Sequence, residues 1–362
     1  MILQKKWLMC LLLVLTSSSL FAQHYTRTDL TQNAAGVSNS ATAHIDANLV
    51  NAWGLTRGGG SPWWVADNGA GKSTLYDATG TPQSLVVTIP PPLGQDGSSA
   101  PTGTVFNFTT GFEVAATKPA VFLFSTEDGT ISGWNPTVNA TTAVVKVNRP
   151  EKAIYKGLAI AMSSSGPRLY ATNFKSGQVE VFDAGFNRVF LGGEAFRSEA
   201  GIDYAPFGIQ NVGGNLVVTF AKREPGSTDE LHGAGLGRVM VFDPNGKLLL
   251  RLQKGQWLNA PWGVALAPGD FGVFSHRLLI GNFGDGTIQV FNTITGRHEG
   301  QLLDSTGKAL DVDGLWSISF GGDTARNGLA TELFFTAGPN DEHDGLFGKI
   351  TAVTTESRGS TE

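Results

Sequence analysis

From residue 25 onward, apolar and polar positions alternate in short runs, and turns built on Gly, Asn or Asp interrupt them. A period of two predicts β-strands, and no stretch of the mature chain carries a helical period of ordinary length. The runs also repeat. "LYATNFKSGQVEVFDAGF" (169–186) and "LLIGNFGDGTIQVFNTIT" (278–295) share an apolar strand, Asn-Phe, a Gly turn and an alternating strand ending Val-Phe-Asp/Asn. "NLVVTF" and "GRVMVFDPNGK" (215–220, 237–247) repeat the unit with a long insertion between the strands. "VFLFSTEDGTISGWNPT" (121–137) is a further copy, and "ELFFTAGPNDEHDGLFGKIT" (332–351) is a degenerate one.

Ahead of each copy stands a shorter landmark: "AWGLT", "PTGTVF", "YKGLAIA", "APFGIQ", "APWGVAL" and "GLWSISF". Their registers, Gly54, Gly103, Gly157, Gly208, Gly263 and Ser317, lie 49 to 55 residues apart. Each period has room for a third alternating stretch, such as "SLVVTI" (84–89), "AVVKVN" (143–148) or "KLLLRL" (247–252). Four short antiparallel strands per period make a propeller blade, so six periods predict an all-β, six-bladed β-propeller over residues 23–352. The sixth blade lacks an outer strand of its own. "YTRTDL" (25–30) alternates and is expected to pair with residues around 346–351, which closes the ring and removes two open sheet edges.

The ends read differently. Residues 1–22 have Lys5 and Lys6 ahead of a short apolar run that fades into small residues, the pattern of a cleaved signal peptide. The run is too short for a comfortable membrane span. Residues 353–362 form a polar tail. Cys10, the single cysteine, falls inside the leader, so the mature chain would be exported, to periplasm or medium, with neither disulfide nor thiolate chemistry. Without Lys5 and Lys6 the chain has 24 basic against 31 acidic residues, and it has no basic run, which argues against nucleic acid as a partner.

One stretch resembles a phosphate-binding loop: "ADNGAGKST" (66–74). Position 66 is Ala where the motif needs Gly, and a β-like run rather than a helix follows, so the repeat frame makes it a hairpin turn.

The pattern of aromatic or small residue, Gly and apolar strand, followed by L-x-x-x-N-F-x-x-G-x-[IV]-x-V-[FY]-[DN], resembles NHL-type and gluconolactonase-like propellers. "NAWGL", "SPWWVADNGAGKSTLYD" and "LLIGNFGDGTIQVFN" resemble more closely a family of exported bacterial propellers with no assigned activity. The resemblance spans nearly the whole mature chain and implies fold more than function.

In such a ring the starts of the inner strands and the second-to-third-strand turns share one face. That face would gather Asn51, Asn259, Asp313, Asp285 and two long loops, 221–237 with His232 and 337–345 with His343. Asn68, set against Asn173 and Asn282, gives one carboxamide in each of blades one, three and five. With Asp67, Asp285 or Asp313 supplying charge, they are candidate ligands for Ca²⁺ or another divalent cation on the axis; gluconolactonase-like propellers imply such a site. The simpler reading, favoured because repeats duplicate turn chemistry, is that each Asn caps its own hairpin. Trp53, Phe207, Trp262 and Trp316 share one inner-strand register; packing between blades is favoured over a carbohydrate-binding mouth. Two functions follow: a secreted binding or scaffold propeller for a small molecule, glycan or protein, or a metal-dependent lactonase or esterase. Clustered carboxylates would favour the enzyme and an aromatic plug the scaffold.

Overall fold

The computed structural model describes residues 23–353 other than 39, 198–200 and 202. The expected leader and most of the expected tail lie outside those residues. Six antiparallel sheets stand around one axis. Blade one is Ala52–Thr56, Trp63–Asp67, Lys72–Tyr76 and Val87–Thr88, running outward in chain order. Blades two to five repeat this order from the inner strands Pro101–Phe106, Tyr155–Ser163, Tyr204–Val212 and Pro261–Leu266. Blade two carries an extra hairpin, Glu113–Ala115 with Lys118–Pro119, between its first two strands. Blade six is Leu315–Phe320, Leu333–Ala337 and Leu346–Ala352, completed by the N-terminal strand Tyr25–Gln32. That last pairing is antiparallel, from Tyr25 opposite Ala352 to Gln32 opposite Leu346, with a bulge near Asp29. The expected closure is therefore present and longer than the alternation of 25–30 alone indicates. Two short 3₁₀ turns, Asn68–Ala70 and Gly272–Phe274, are the only helical elements among the described residues. No helix there is long and apolar enough to cross a membrane.

Each inner strand packs on the next around the ring, and blade six packs on blade one. The landmark glycines follow from this approach. A Cβ on Gly54 would overlap Thr102 O, one on Gly208 would overlap Trp262 O, and one on Gly103 would overlap Leu158 N. Threonine hydroxyls fasten the same seam: Thr172 Oγ1 donates to Phe207 O at 2.6 Å, and Thr336 Oγ1 donates to Trp53 O at 2.6 Å. Side chains between the sheets form the rest of the core. Consecutive Trp63 and Trp64 serve opposite faces of one strand, Trp63 against Phe334 of blade six and Trp64 against Phe122 and Trp134 of blade two.

"ADNGAGKST" is a hairpin. Gly71 has φ 65°, and Lys72 opens the third strand, its Nζ donating to Asn48 Oδ1 at 2.7 Å.

Candidate ligand site at the axial mouth

The inner strands start on the face that carries the long turns. One register there holds Trp53, Thr102, Lys156, Phe207, Trp262 and Trp316, from blades one to six; all but Thr102, whose hydroxyl donates to Tyr155 O at 2.7 Å, gather at the axis. The aromatics do not wedge neighbouring blades apart; they meet one another across the axis. Trp53 and Trp316 stack at 3.4 Å between centroids, and Trp53 lies 6.4 Å from Phe207, which belongs to the opposite blade. Phe174 and Phe283 join this cluster, and together these rings plug the channel.

Lys156 occupies an aromatic's position and is 2 % exposed. Its Nζ lies 5.2 Å from the centroid of Trp53, 5.7 Å from Phe174 and 6.0 Å from Phe207, each an attractive cation–π placement. Above it stand Glu127 Oε1 at 2.7 Å, Asp229 Oδ1 at 3.4 Å and Glu230 Oε2 at 3.7 Å. Burial works against the ammonium, but the Glu127 and Glu230 carboxylates outweigh it and hold Lys156 above the usual lysine range. The residue is a fixed, charged cation.

From Lys156 a chain of contacts runs around the mouth. Glu127 Oε2 accepts from Asn68 Nδ2 at 2.9 Å, and Asn68 Oδ1 accepts from Asn51 Nδ2 at 3.4 Å. Asn51 Nδ2 also donates to Glu342 Oε2 at 2.6 Å, while its Oδ1 accepts from Trp316 Nε1 at 3.0 Å. Glu342 sits in an unusual loop. Asn340, Asp341 and Glu342 all have left-handed φ, at 58°, 51° and 65°, and Glu342 N donates to Gly338 O at 3.2 Å. Left-handed backbone costs roughly 1–2 kcal/mol per ordinary residue, and such strain gathers at functional sites. Burial first, then repulsion from Glu230 and Glu127, pushes the Glu342 carboxyl up to about 7 against the opposing hydrogen bond from Asn51. His232, half exposed, faces Glu230 at 3.7 Å and packs edge-on to Phe283. The facing Glu230 carboxylate raises its pKa against the pull of burial.

The expected metal set is not brought together. Asn173 Oδ1 accepts from Ile154 N and Ser176 N, and its Nδ2 donates to Lys152 O and Glu180 Oε1. Asn282 Oδ1 accepts from Asn259 N, and its Nδ2 donates to Trp257 O at 2.8 Å. Both are local caps. The equivalence with Asn68 is also off by one residue. Gly71 N bonds to Asp67 O as Gly177 N bonds to Asn173 O and Gly286 N to Asn282 O, so Asp67 holds their position and Asn68 that of Phe174 and Phe283. Asp67 is fully buried, Thr74 N donates to its Oδ2 at 2.9 Å, and burial holds its pKa well above the carboxylate range. Among the described residues, no three His, Cys, Asp or Glu side chains form a metal-holding group.

The other expected residues act as anchors. Asp313 Oδ2 accepts from Asn340 N at 3.0 Å and so ties down the loop of Glu342. Asn259 Oδ1 accepts from Gly233 N at 2.7 Å, beside Glu230 and His232, while its Nδ2 reaches Asp285 Oδ2 at 3.2 Å. His343 is exposed, and among the described residues its ring bonds only to Asn340 O. The histidines of "TDELHG" and "NDEHDG" stand out in the sequence, whereas Glu230 and Glu342 beside them carry no motif. Glu127 has no signature either, while Lys156 is legible only as a break in the aromatic register.

No family model matches the chain. Uncharacterized protein R648 of Acanthamoeba polyphaga mimivirus is 32 % identical over 325 residues, covering 85 % of this chain and 76 % of that protein. Uncharacterized protein L690 of the same virus is 32 % identical over 333 residues, covering 86 % and 83 %. These relatives are viral, so they lend no support to a bacterial source. Among solved structures, a streptogramin B lyase superposes with a TM-score of 0.53 at 13 % identity, covering 91 % of this chain and 98 % of that one. A glucose dehydrogenase gives 0.55 at 13 %, covering 91 % and 100 %. At such identity the likeness is one of fold.

Proposed function

The chain belongs to the family of the mimivirus proteins R648 and L690, and from that premise we propose that it is an exported binding propeller whose ligand site is the axial mouth. The ligand class is a small molecule bearing an amine or a similar strong hydrogen-bond donor. One observation carries this reading. Glu230 Oε2 is buried, accepts no hydrogen bond, and faces a mouth where Glu127, Asp229, Glu230 and Glu342 outnumber the single ammonium of Lys156. Its ion pair with Lys156 at 3.7 Å is too long for a hydrogen bond, and a ligand N–H would satisfy the buried oxygen. The aromatic plug beneath supports a closed binding site over a through-channel. Lys156 already supplies the positive charge that a divalent ion would bring, which weighs against the metal-dependent hydrolase.

The test is a thermal-shift and calorimetric titration with putrescine, spermidine and glucosamine, beside Ca²⁺, Mg²⁺, Mn²⁺ and Zn²⁺. Stabilisation by an amine that disappears in Glu230→Gln supports the binding reading. Stabilisation by a divalent ion with no response to any amine would replace it with the hydrolase. An acid–base enzyme is favoured by Glu342 alone, a carboxyl near 7 on strained backbone. Ester or lactone hydrolysis lost in Glu342→Gln, with a pH profile breaking near 7, would support that second reading.

A further inference from the structure

The opposite end of the axis has a site of its own. The inner strands finish there around a funnel of about 390 Å³, lined by strand ends from blades one, two, three, four and six. This is the size range of small-molecule sites. Between the funnel and the aromatic plug lies a void of about 20 Å³, bordered by Thr104, Gln210 and Trp262, with room for one water-sized group.

Two of the funnel's polar side chains, Thr104 and Gln210, have no hydrogen-bond partner among the described residues, and a third, Arg57, is fixed beside them. Thr104 is 6 % exposed, and its Oγ1 is buried without a hydrogen-bond partner. Thr104 lines both the funnel and the void. Gln210 is exposed, and its carboxamide makes no hydrogen bond among the described residues. Arg57 is held rigidly: its Nε donates to Phe320 O at 3.1 Å and its Nη2 to Gly321 O at 2.8 Å, while the guanidinium lies 5.6 Å from the centroid of Trp63. At the rim Phe106 is half-buried, and Phe108 is 53 % exposed. A buried polar atom left unpaired beside a cavity is a cost that an occupant removes.

We infer that this funnel is a second ligand site, independent of the axial mouth, for a neutral polyhydroxylated ring of monosaccharide size. Hydroxyl groups can both donate and accept, which suits Thr104, Gln210 and Arg57 together. The exposed phenyl ring gives the apolar face of a sugar a platform. No carboxylate lines the funnel, and Asp323 near Arg57 balances the one charge present, which favours a neutral ligand over an ionic one.

The test uses the full-length protein on an array of oligosaccharides ending in glucose, galactose, mannose or N-acetylglucosamine, followed by calorimetry with the free sugar. Four variants accompany it: the funnel variants Gln210→Ala and Phe108→Ala, Arg57→Gln with benzoate as a control ligand, and the mouth variant Glu230→Gln. Both funnel residues are exposed, so their variants should melt like the parent. The expected result is a saccharide whose Kd rises at least tenfold in both funnel variants and is unchanged in Glu230→Gln. The inference is overturned if no saccharide binds, or if binding survives both funnel variants. It is also overturned if benzoate binds instead and is lost in Arg57→Gln, which would make the site an anion site.

Discussion

The axial register has two halves with opposite characters. In blades one, four, five and six it holds Trp53, Phe207, Trp262 and Trp316, which fill the channel by packing on one another. In blades two and three it holds Thr102 and Lys156, and Lys156 is stable only because Glu127, Asp229 and Glu230 reach it from the turns of other blades. The aromatic half is held mainly by ring packing, with Trp316 Nε1 donating to Asn51 Oδ1 and Trp262 Nε1 to Lys156 O. The charged half depends on loops from around the ring and places a network of charge at the surface of the plug. Where a repeat breaks its own rule and the rest of the molecule compensates, function is the economical explanation.

The largest expected effect comes from making the two halves alike. Lys156→Met fits the aromatic surroundings in volume but leaves Glu127 and Glu230 facing each other without a cation. Removing one partner of a buried charge group costs about 3–5 kcal/mol, so chemical denaturation should show a loss of that size at neutral pH. A loss under about 1 kcal/mol would mean that solvent already screens the cluster.

The next effect concerns Glu342. Because folding raises its pKa to about 7, the native state keeps a proton that the unfolded chain releases at lower pH. Stability therefore falls as pH rises from the ordinary carboxylate range through about 7, by up to about 3 kcal/mol. Glu342→Gln should flatten melting temperature against pH and raise it at pH 8. Part of the slope remains, because Asp67 and His232 also have raised pKa values and contribute stability that is lost with rising pH. An unchanged profile in Glu342→Gln would place the carboxyl in solvent.

A smaller effect separates caps from site. Asn282→Ala strands the Asn259 N–H and the Trp257 carbonyl and should cost about 1–3 kcal/mol. Asn68→Ala removes only contacts within the mouth and should cost under about 1 kcal/mol while weakening ligand binding. Equal losses of stability would restore the three asparagines to one class.

The fold was legible in the chain for a physical reason. Glycines such as Gly54 and Gly208 recur because neighbouring inner strands approach too closely for a Cβ, and that requirement repeats in register. The N-terminal strand was legible from its alternation and from the unpaired edge it covers. The site was only half legible. The face and its two long loops followed from topology, but the carboxylates at the mouth depend on how loops turn at their tips. Asn340 and Asp341 are residue types that tolerate left-handed backbone, but nothing in the sequence marks Glu342 as continuing it. The histidines drew notice as chemistry-bearing residues, while the glutamates beside them point inward. At Asn68 a one-residue slip in aligning the hairpins joined a site residue to two structural caps.

The most direct test of the account is a pair of titrations on the parent protein and on Glu230→Gln, following melting temperature with spermidine in one and Ca²⁺ in the other. The account predicts that spermidine stabilises the parent, that Glu230→Gln abolishes this, and that Ca²⁺ stabilises neither. Stabilisation of the parent by Ca²⁺, lost in Glu230→Gln, with no response to spermidine would contradict it.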